Sequence, residues 1–205
     1  MRVAVVGGTG DFGLALATRL AEAGDHVVIG SRDAERAREK AAEAGAAAGA
    51  TNTDAVQGVD LVVFAVKAEA ALSTAAELAD AIGETPVLSV ASELRFTKSG
   101  VHPTTDERSI AERTQDQLRA PVAAGLHSLA ASSLASGKAE GDALVCGDDS
   151  LAKDLALELA SKVVSGRALD AGPLTSARAL EGMTAVIVNL NRRYRGHAGI
   201  RIVGL

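Results

Sequence analysis

The chain has 205 residues, of which 47% are hydrophobic and 23% charged, enough for one sizeable core with a small appended portion. A net charge of −5 and an aromatic set limited to Phe12, Phe64, Phe96 and Tyr194 argue against a nucleic-acid surface or a base-stacking platform. A lone cysteine, Cys146, excludes an intrachain disulfide framework, and no run approaches the roughly 18 apolar residues of a membrane span, so a soluble, cytoplasmic protein is expected.

The first element is a Val-rich run over residues 2–6, the pattern of a strand buried on both faces of a parallel sheet. It leads straight into a glycine-rich loop, so no signal peptide is expected ahead of it. Gly8-x-Gly10-x-x-Gly13 follows at once and opens a helical pattern from Leu14 to Ala23. In such a unit the first glycine permits a tight turn, the second lets backbone approach a pyrophosphate, and the third lets helix pack on strand. The free N–H groups and positive dipole end of the helix then attract phosphate. Thr9, Asp11 and Phe12 complete this candidate dinucleotide-binding loop.

A second apolar run, His26 to Gly30, ends at Ser31-Arg32, where an NAD site would offer a carboxylate to the ribose hydroxyls. A carboxylate repels a 2′-phosphate, whereas a hydroxyl and a guanidinium hydrogen-bond to it. Arg36, four residues on, is placed on the same side of the following helix as Arg32. In the competing reading Ser31 only caps a helix and both arginines pair with Asp33, Glu35 or Glu39. The position faces the adenosine ribose in such folds, so NADP is expected over NAD.

Further elements alternate. An Ala-rich helix over about 33–48 precedes a strand at Leu61–Val66, a helix over about 69–82 and a strand at Val87–Val90. A polar loop from Ala91 to about Thr105 carries Glu93, Arg95, Lys98 and His102, and loops of that length are often functional. A helix around 106–118 leads to the strand Val122–Leu126, which ends at His127. Small residues over Ser128–Ser136 come before a strand at Ala143–Cys146, where Cys146 reads as a small buried residue.

Asp148 and Asp149 read as an N-cap and acidic first turn, not as metal ligands, and no metal site is expected. An extended piece and turn over residues 167–173 precede a helix over about 174–194. Its stripe of Leu180, Met183, Ile187 and Leu190 suits core packing or a dimer seam. Arg192, Arg193 and Arg195 are either a solvated helix end or an attractor of anionic ligand groups. Together the alternation predicts an α/β, Rossmann-type, doubly wound and mostly parallel sheet with a small C-terminal helical portion. A loose boundary divides it into residues 1–140, binding NADP, and 141–205.

Ligands of such sheets lie beyond the carboxyl ends of the strands, here the stretches Gly7–Phe12, Ser31–Arg32, Val66–Ala70, Ala91–Leu94 and His127–Ala131. There the chain offers no Ser-x-x-x-Tyr-x-x-x-Lys arrangement, zinc cluster or Cys/His nucleophile pair. His127 is the strongest acid–base candidate, and its alternative role is a strand-end histidine bonded to backbone. Few proton-moving groups suit hydride transfer between two rings, where the protein supplies alignment and water exclusion.

The opening Gly-Gly-Thr-Gly-Asp-Phe-Gly13, Gly30-Ser31-Arg32, Leu126-His127-Ser128, Val145-Cys-Gly-Asp-Asp149 and Leu169-Asp-Ala-Gly-Pro-Leu174 together resemble the NADPH-dependent reductases of coenzyme F-420 (F420, a deazaflavin). Ser176-x-Arg178, Glu181, Thr184, Asn189 and His197–Leu205 extend the resemblance to the end of the chain. It implies reversible hydride transfer between nicotinamide C4 and deazaflavin C5, NADP(H) and F420 as the small-molecule partners, and a homodimer. Carried over, Thr9 to Phe12 hold the pyrophosphate and Ser31, Arg32 and Arg36 the 2′-phosphate. Val66 and Ala70 lie along the cofactor, while His127, Leu129 and Ala131 line the contact between the rings and residues 141–205 complete the deazaflavin pocket. The chain departs from the family at Ala91–Arg95, where a proline-containing apolar stretch is usual, and at Ala130, which replaces a proline. Two other functions stay open: an NADPH-dependent reductase of a flavin, ferric complex or small carbonyl or imine, and a non-catalytic NADP(H)-sensing module.

Overall fold

The structure, a computed structural model, describes residues 1–205. Ten strands and eight α-helices follow one another as β1 (Arg2–Val6), α1 (Asp11–Glu22), β2 (His26–Ser31), α2 (Ala34–Ala44), β3 (Ala48–Thr51), α3 (Asn52–Ala55), β4 (Leu61–Phe64), α4 (Ala68–Ile82), β5 (Val87–Ser89), β6 (Leu94–Thr97), β7 (Gly100–Pro103), α5 (Ile110–Gln115), β8 (Val122–Gly125), α6 (Ala131–Ser136), β9 (Ala143–Gly147), α7 (Ser150–Val163), β10 (Ala168–Asp170) and α8 (Ala177–Tyr194). Eight strands form one sheet in the order β10-β9-β8-β5-β4-β1-β2-β3. All its pairings are parallel except β8 with β9.

Successive side chains of a strand point to opposite faces, and both faces here are covered. Val3, Val5, Ile29, Leu61 and Val63 meet Leu16 and Leu20 of α1 and Leu159 and Val163 of α7. Ala4, Val6, Val62 and Phe64 meet Leu78 and Ile82 of α4 and Leu180 of α8. The chain runs outward from β1 through β2 to β3, then returns to β4, β5 and β8 on the other side. Strand order therefore reverses between β1 and β4, and a crevice opens at their carboxyl ends.

Several expectations change in detail. The helix expected over 33–48 stops at Ala44, where Gly45 takes φ 65 and donates to the Ala41 and Ala42 carbonyls. Ala48–Thr51 then adds an edge strand that its small residues did not announce. The polar loop contains an antiparallel hairpin, β6–β7, with Leu94 opposite Pro103 and Thr97 opposite Gly100. The helix expected over 106–118 is only α5, started by a capping box in which Ser109 and Glu112 bond each other's backbone N–H. Residues 128–136 include α6. The last helix begins after a 3-10 turn, Leu174–Ser176.

Residues 141–205 continue the same sheet through β9 and β10 and lay α8 beside its carboxyl edge. Because β9 runs antiparallel to β8, residues 126–142 cross that edge before the chain turns back. The C-terminal tail is strapped to the start of β9. Asp142 accepts from the Ile202 N–H and pairs with Arg167, which also bonds the carbonyls of Ile202 and Leu205. Those hydrogen bonds, from the Arg167 and Ile202 backbone first, hold the Asp142 carboxyl down at about 2.

Candidate functional site

The glycine-rich loop has its expected shape with one change of duty. Positive φ falls on Gly7 (78°) and not on Gly8. Gly8 is required by packing, since a Cβ there would lie 2.8 Å from the Val5 carbonyl oxygen. Gly13 packs as expected, its Cβ position only 2.7 Å from the Gly7 oxygen. Gly10 differs from both, because the nearest atom to a Cβ there is 3.5 Å away. Nothing within the protein demands glycine at that position. Gly10 is also the N-cap of α1 and supplies no side-chain cap. The first amide of the helix to find a partner is Leu14, on Gly10. Those of Asp11, Phe12 and Gly13 are left bare, which is the cradle a pyrophosphate needs.

At the end of β2, Asp33 and not Ser31 caps α2, accepting from the Glu35 and Arg36 amides. The Ser31 hydroxyl accepts from the Asp33 N–H at 3.2 Å and keeps its own proton to donate. Arg32 lies just ahead of the helix and Arg36 in its first turn. Both are exposed, and neither forms an ion pair with Asp33, Glu35, Glu39 or any other carboxylate. One hydroxyl and two unpaired guanidinium groups thus stand where the adenosine ribose of a dinucleotide lies in such folds.

The crevice itself is a cleft of about 240 Å³ that draws on five parts of the chain. Phe12 comes from the glycine loop, Val66 and Lys67 follow β4, and Ala91, Ser92 and Leu94 follow β5. Leu126, His127 and Leu129 follow β8, and Thr184 reaches in from α8. Lys67 is the one charged side chain lining it. The charges of the 91–95 stretch turn elsewhere: Glu93 pairs with Arg113 of α5, and Arg95 is exposed. Ala70 and Ala131 are not among the lining residues. Ala131 faces a separate, larger groove of about 710 Å³ beside α1, whose acidic rim of Asp11 and Glu43 suits phosphates poorly.

His127 is placed by a sharp turn in which Leu126 adopts φ 65, a conformation unfavourable for a residue with a Cβ. The imidazole is 5% exposed. Its Nε2–H donates to the Ala91 carbonyl at 3.2 Å, while Nδ1 is buried with no partner. Burial pushes its pKa down to about 4, against a smaller opposite effect of that hydrogen bond. The ring is therefore neutral at physiological pH, with an acceptor lone pair unused. Thr184 donates its hydroxyl proton to the His127 carbonyl, so the 2.8 Å contact between Ser92 and Thr184 must be donated by Ser92.

Lys67 and Ser92 fall in the strand-end stretches 66–70 and 91–94 expected at the ligand edge, though no motif singled them out, and Thr184 showed only within the tail segment carrying the family resemblance. Asp149 caps α7 as expected, but Asp148 accepts from the Leu174 amide instead. Cys146 is fully buried and burial raises its thiol to about 12, leaving it unreactive.

A family model described as NADP oxidoreductase, coenzyme F420-dependent, matches residues 2–93. The F420-dependent NADP reductase of Methanothermobacter thermautotrophicus is 39% identical, with 100% of this chain and 96% of the relative covered. That of Methanocaldococcus jannaschii is 34% identical, covering 100% and 99%. A solved candidate F420-dependent NADP-reductase from Arthrobacter sp. FB24 superposes over 100% of both chains with a TM-score of 0.85 and 25% identity. With full-length relatives at these identities, the chain belongs to the family of coenzyme F420-dependent NADP oxidoreductases.

Proposed function

We propose that this chain transfers hydride reversibly between NADP(H) and F420, with the pyrophosphate on Gly8–Gly13, the 2′-phosphate on Ser31, Arg32 and Arg36, and both reacting rings in the His127 cleft. The observation that carries the reading is the cleft's chemistry. Apolar walls open onto an uncapped helix N-terminus, and the one imidazole is held neutral. Such a site aligns and dehydrates rings and moves no proton of its own. When bound, NADPH would supply the hydride from nicotinamide C4 to deazaflavin C5, with the accompanying proton of the reduced ring coming from solvent.

The residues of the chain do the rest. The bare amides of Asp11 to Gly13 and the α1 dipole anchor the dinucleotide. Phe12, Val66, Leu126 and Leu129 exclude water from the transfer. Nδ1 of His127, buried and unpaired, accepts a hydrogen bond from a ring or carboxamide N–H and so positions it. Thr184 and Ser92 fix the His127 backbone, and this supports a division in which residues 1–140 hold NADP and residues 141–205 complete the deazaflavin pocket.

A homodimer belongs to the same proposal, supported by Val186, Leu190 and Tyr194 exposed along α8. So does a cytoplasmic location, supported by the free thiol of Cys146. No helix is long and apolar enough to cross a membrane.

The test is an anaerobic mixture of enzyme, NADPH and F420, followed by loss of the deazaflavin absorbance. One F420 reduced per NADPH consumed is expected. Inert F420 alongside turnover of free flavin or ferricyanide would favour the alternative reductase. Bound NADPH with every acceptor left oxidised would favour the sensing module.

A further inference from the structure

Outside the cleft, the chain's charges are segregated. Residues 94–103 and 182–195 carry Arg95, Lys98, Arg192, Arg193 and Arg195 and not one Asp or Glu, in a protein of net charge −5. None of these five cations forms an ion pair, and all five are exposed. The two segments are packed together, with α8 running along the hairpin from its base towards its tip. Pro103, at the base, is the neighbour of Gly182. Nearer the tip, Asn189 accepts from the Val101 N–H at 2.9 Å and donates to its carbonyl at 2.7 Å, and it lies directly against Gly100. Arg192 and Arg193 follow Asn189 by one helical turn on that side of α8, which brings them past the tip where Lys98 stands.

This basic end is continuous with the cleft. Leu94 begins the hairpin and lines the cleft, and Thr184 lines it from α8 two turns before Arg192. From Leu94 to Thr97 the strand covers only about 10 Å. A ligand whose ring fills the cleft and whose anionic chain leaves beside Leu94 therefore runs along the hairpin into the cations. Of the two substrates, F420 fits this description, since its ring carries a ribityl phosphodiester extended by glutamates. The dinucleotide's phosphates have their own cradle in the loop after β1, two strands away from β5, which the hairpin follows.

We propose that Lys98, Arg192 and Arg193 form a subsite for the phosphodiester–glutamate tail of F420, assembled by clamping the β6–β7 hairpin against α8. This rests on the hydride-transfer reading. The cations act through solvent-exposed, long-range attraction, so they raise affinity for the tailed substrate, and salt screens the effect.

The experiment compares F420 with the same deazaflavin cut back to its ribityl alcohol, which lacks phosphate and glutamates, using NADPH as donor. Wild type should favour F420 in kcat/KM, through KM, and the preference should fall steeply between about 0.05 and 0.5 M salt. The triple variant Lys98→Gln/Arg192→Gln/Arg193→Gln should lose about tenfold of that preference, with KM for NADPH unmoved. The salt series on wild type stands by itself if the variant folds poorly. Equal KM values for the two deazaflavins at low salt, or a variant that raises KM for NADPH as much as for F420, would overturn the subsite. Failure of wild type to reduce either deazaflavin would instead remove the hydride-transfer reading on which it rests.

Discussion

Arg32 and Arg36 are long cationic side chains that form no ion pair on a surface where carboxylates stand beside them in sequence, so their charge is free for a ligand. A charge-assisted hydrogen bond contributes about 1.5–3 kcal/mol, roughly ten- to a hundredfold in affinity. Arg32→Asp exchanges that attraction for repulsion and should lower kcat/KM for NADPH at least tenfold while leaving NADH within about threefold. An unchanged ratio of the two in steady-state kinetics would place the 2′-phosphate elsewhere. The placement of Ser31 and Arg32 at the carboxyl end of β2 is legible in the sequence because the first strand, with its glycines, and the second are spaced within one βαβ unit. Lys67 is legible only as part of a strand-end stretch at the ligand edge, and Thr184 is not assigned to the cleft by any local spacing, since it lies on a helix whose apolar stripe gives no hint of what its flank faces.

At the scale of elements, the edge strand β3 depends on one small residue. Gly49 lets α2 lie against the strand, and a Cβ there would fall 2.2 Å from the Ala37 carbonyl carbon and oxygen. Those are backbone atoms inside a helix and cannot swing aside. Gly49→Ala should destabilise the protein by about 2–3 kcal/mol, read as a lower urea midpoint at unchanged slope. A midpoint within error of wild type would mean that α2 is free to slide on the sheet. Gly49 sits in Ala48–Thr51, a stretch without alternation whose one branched residue is Thr51, and so the sequence does not signal a strand there. The hairpin lacks a sequence signal for another reason. Its two-residue turn, Lys98-Ser99, lacks the Asn-Gly or Gly-led pairs that favour tight hairpins, and an isolated two-stranded hairpin is marginal in water. Asn189 and Arg178 of α8 hold it in place through the backbone of Val101, Thr104 and Asp106.

For the molecule as a whole, two buried groups set opposing responses to pH. His127 is held near 4 when folded and titrates near 6.5 when unfolded, so the stability it contributes above 6.5 is lost as pH falls towards 4. Glu181 is 1% exposed, accepts from the Ala111 amide at the start of α5, and is raised by burial to about 7 from an ordinary 4.5. Its contribution is complete below 4.5 and is lost as pH rises through 7. Each effect amounts to about 1.4 kcal/mol per pH unit inside its window, and the two nearly cancel between 4.5 and 6.5. Glu181→Gln keeps an acceptor for Ala111 and removes the alkaline loss. Denaturant unfolding at pH 5 and pH 8 should show the variant gaining about 3 kcal/mol at the higher pH relative to wild type. The same pH 5 to pH 8 difference in both proteins would show that Glu181 is ionised throughout.

What the amino-acid sequence determined unaided was the fold class, the glycine-rich turn between β1 and α1, and NADP as the nucleotide. Each of these is written within one local unit, where hydrophobic period, glycine spacing and the strand-end residue all obey short-range geometry. Tertiary structure alone decided the second half of the site. Ser92 reaches Thr184 across 92 positions, Asn189 reaches Val101 across 88, and Thr184 reaches His127 across 57. It also decided the direction of β9, since a buried apolar run reads the same either way along the chain. Contacts of that span follow from how whole elements pack, and no residue spacing encodes them. The wall that Thr184 and Ser92 give the cleft, with the basic tip beyond it, is therefore visible only where α8 and the hairpin lie together.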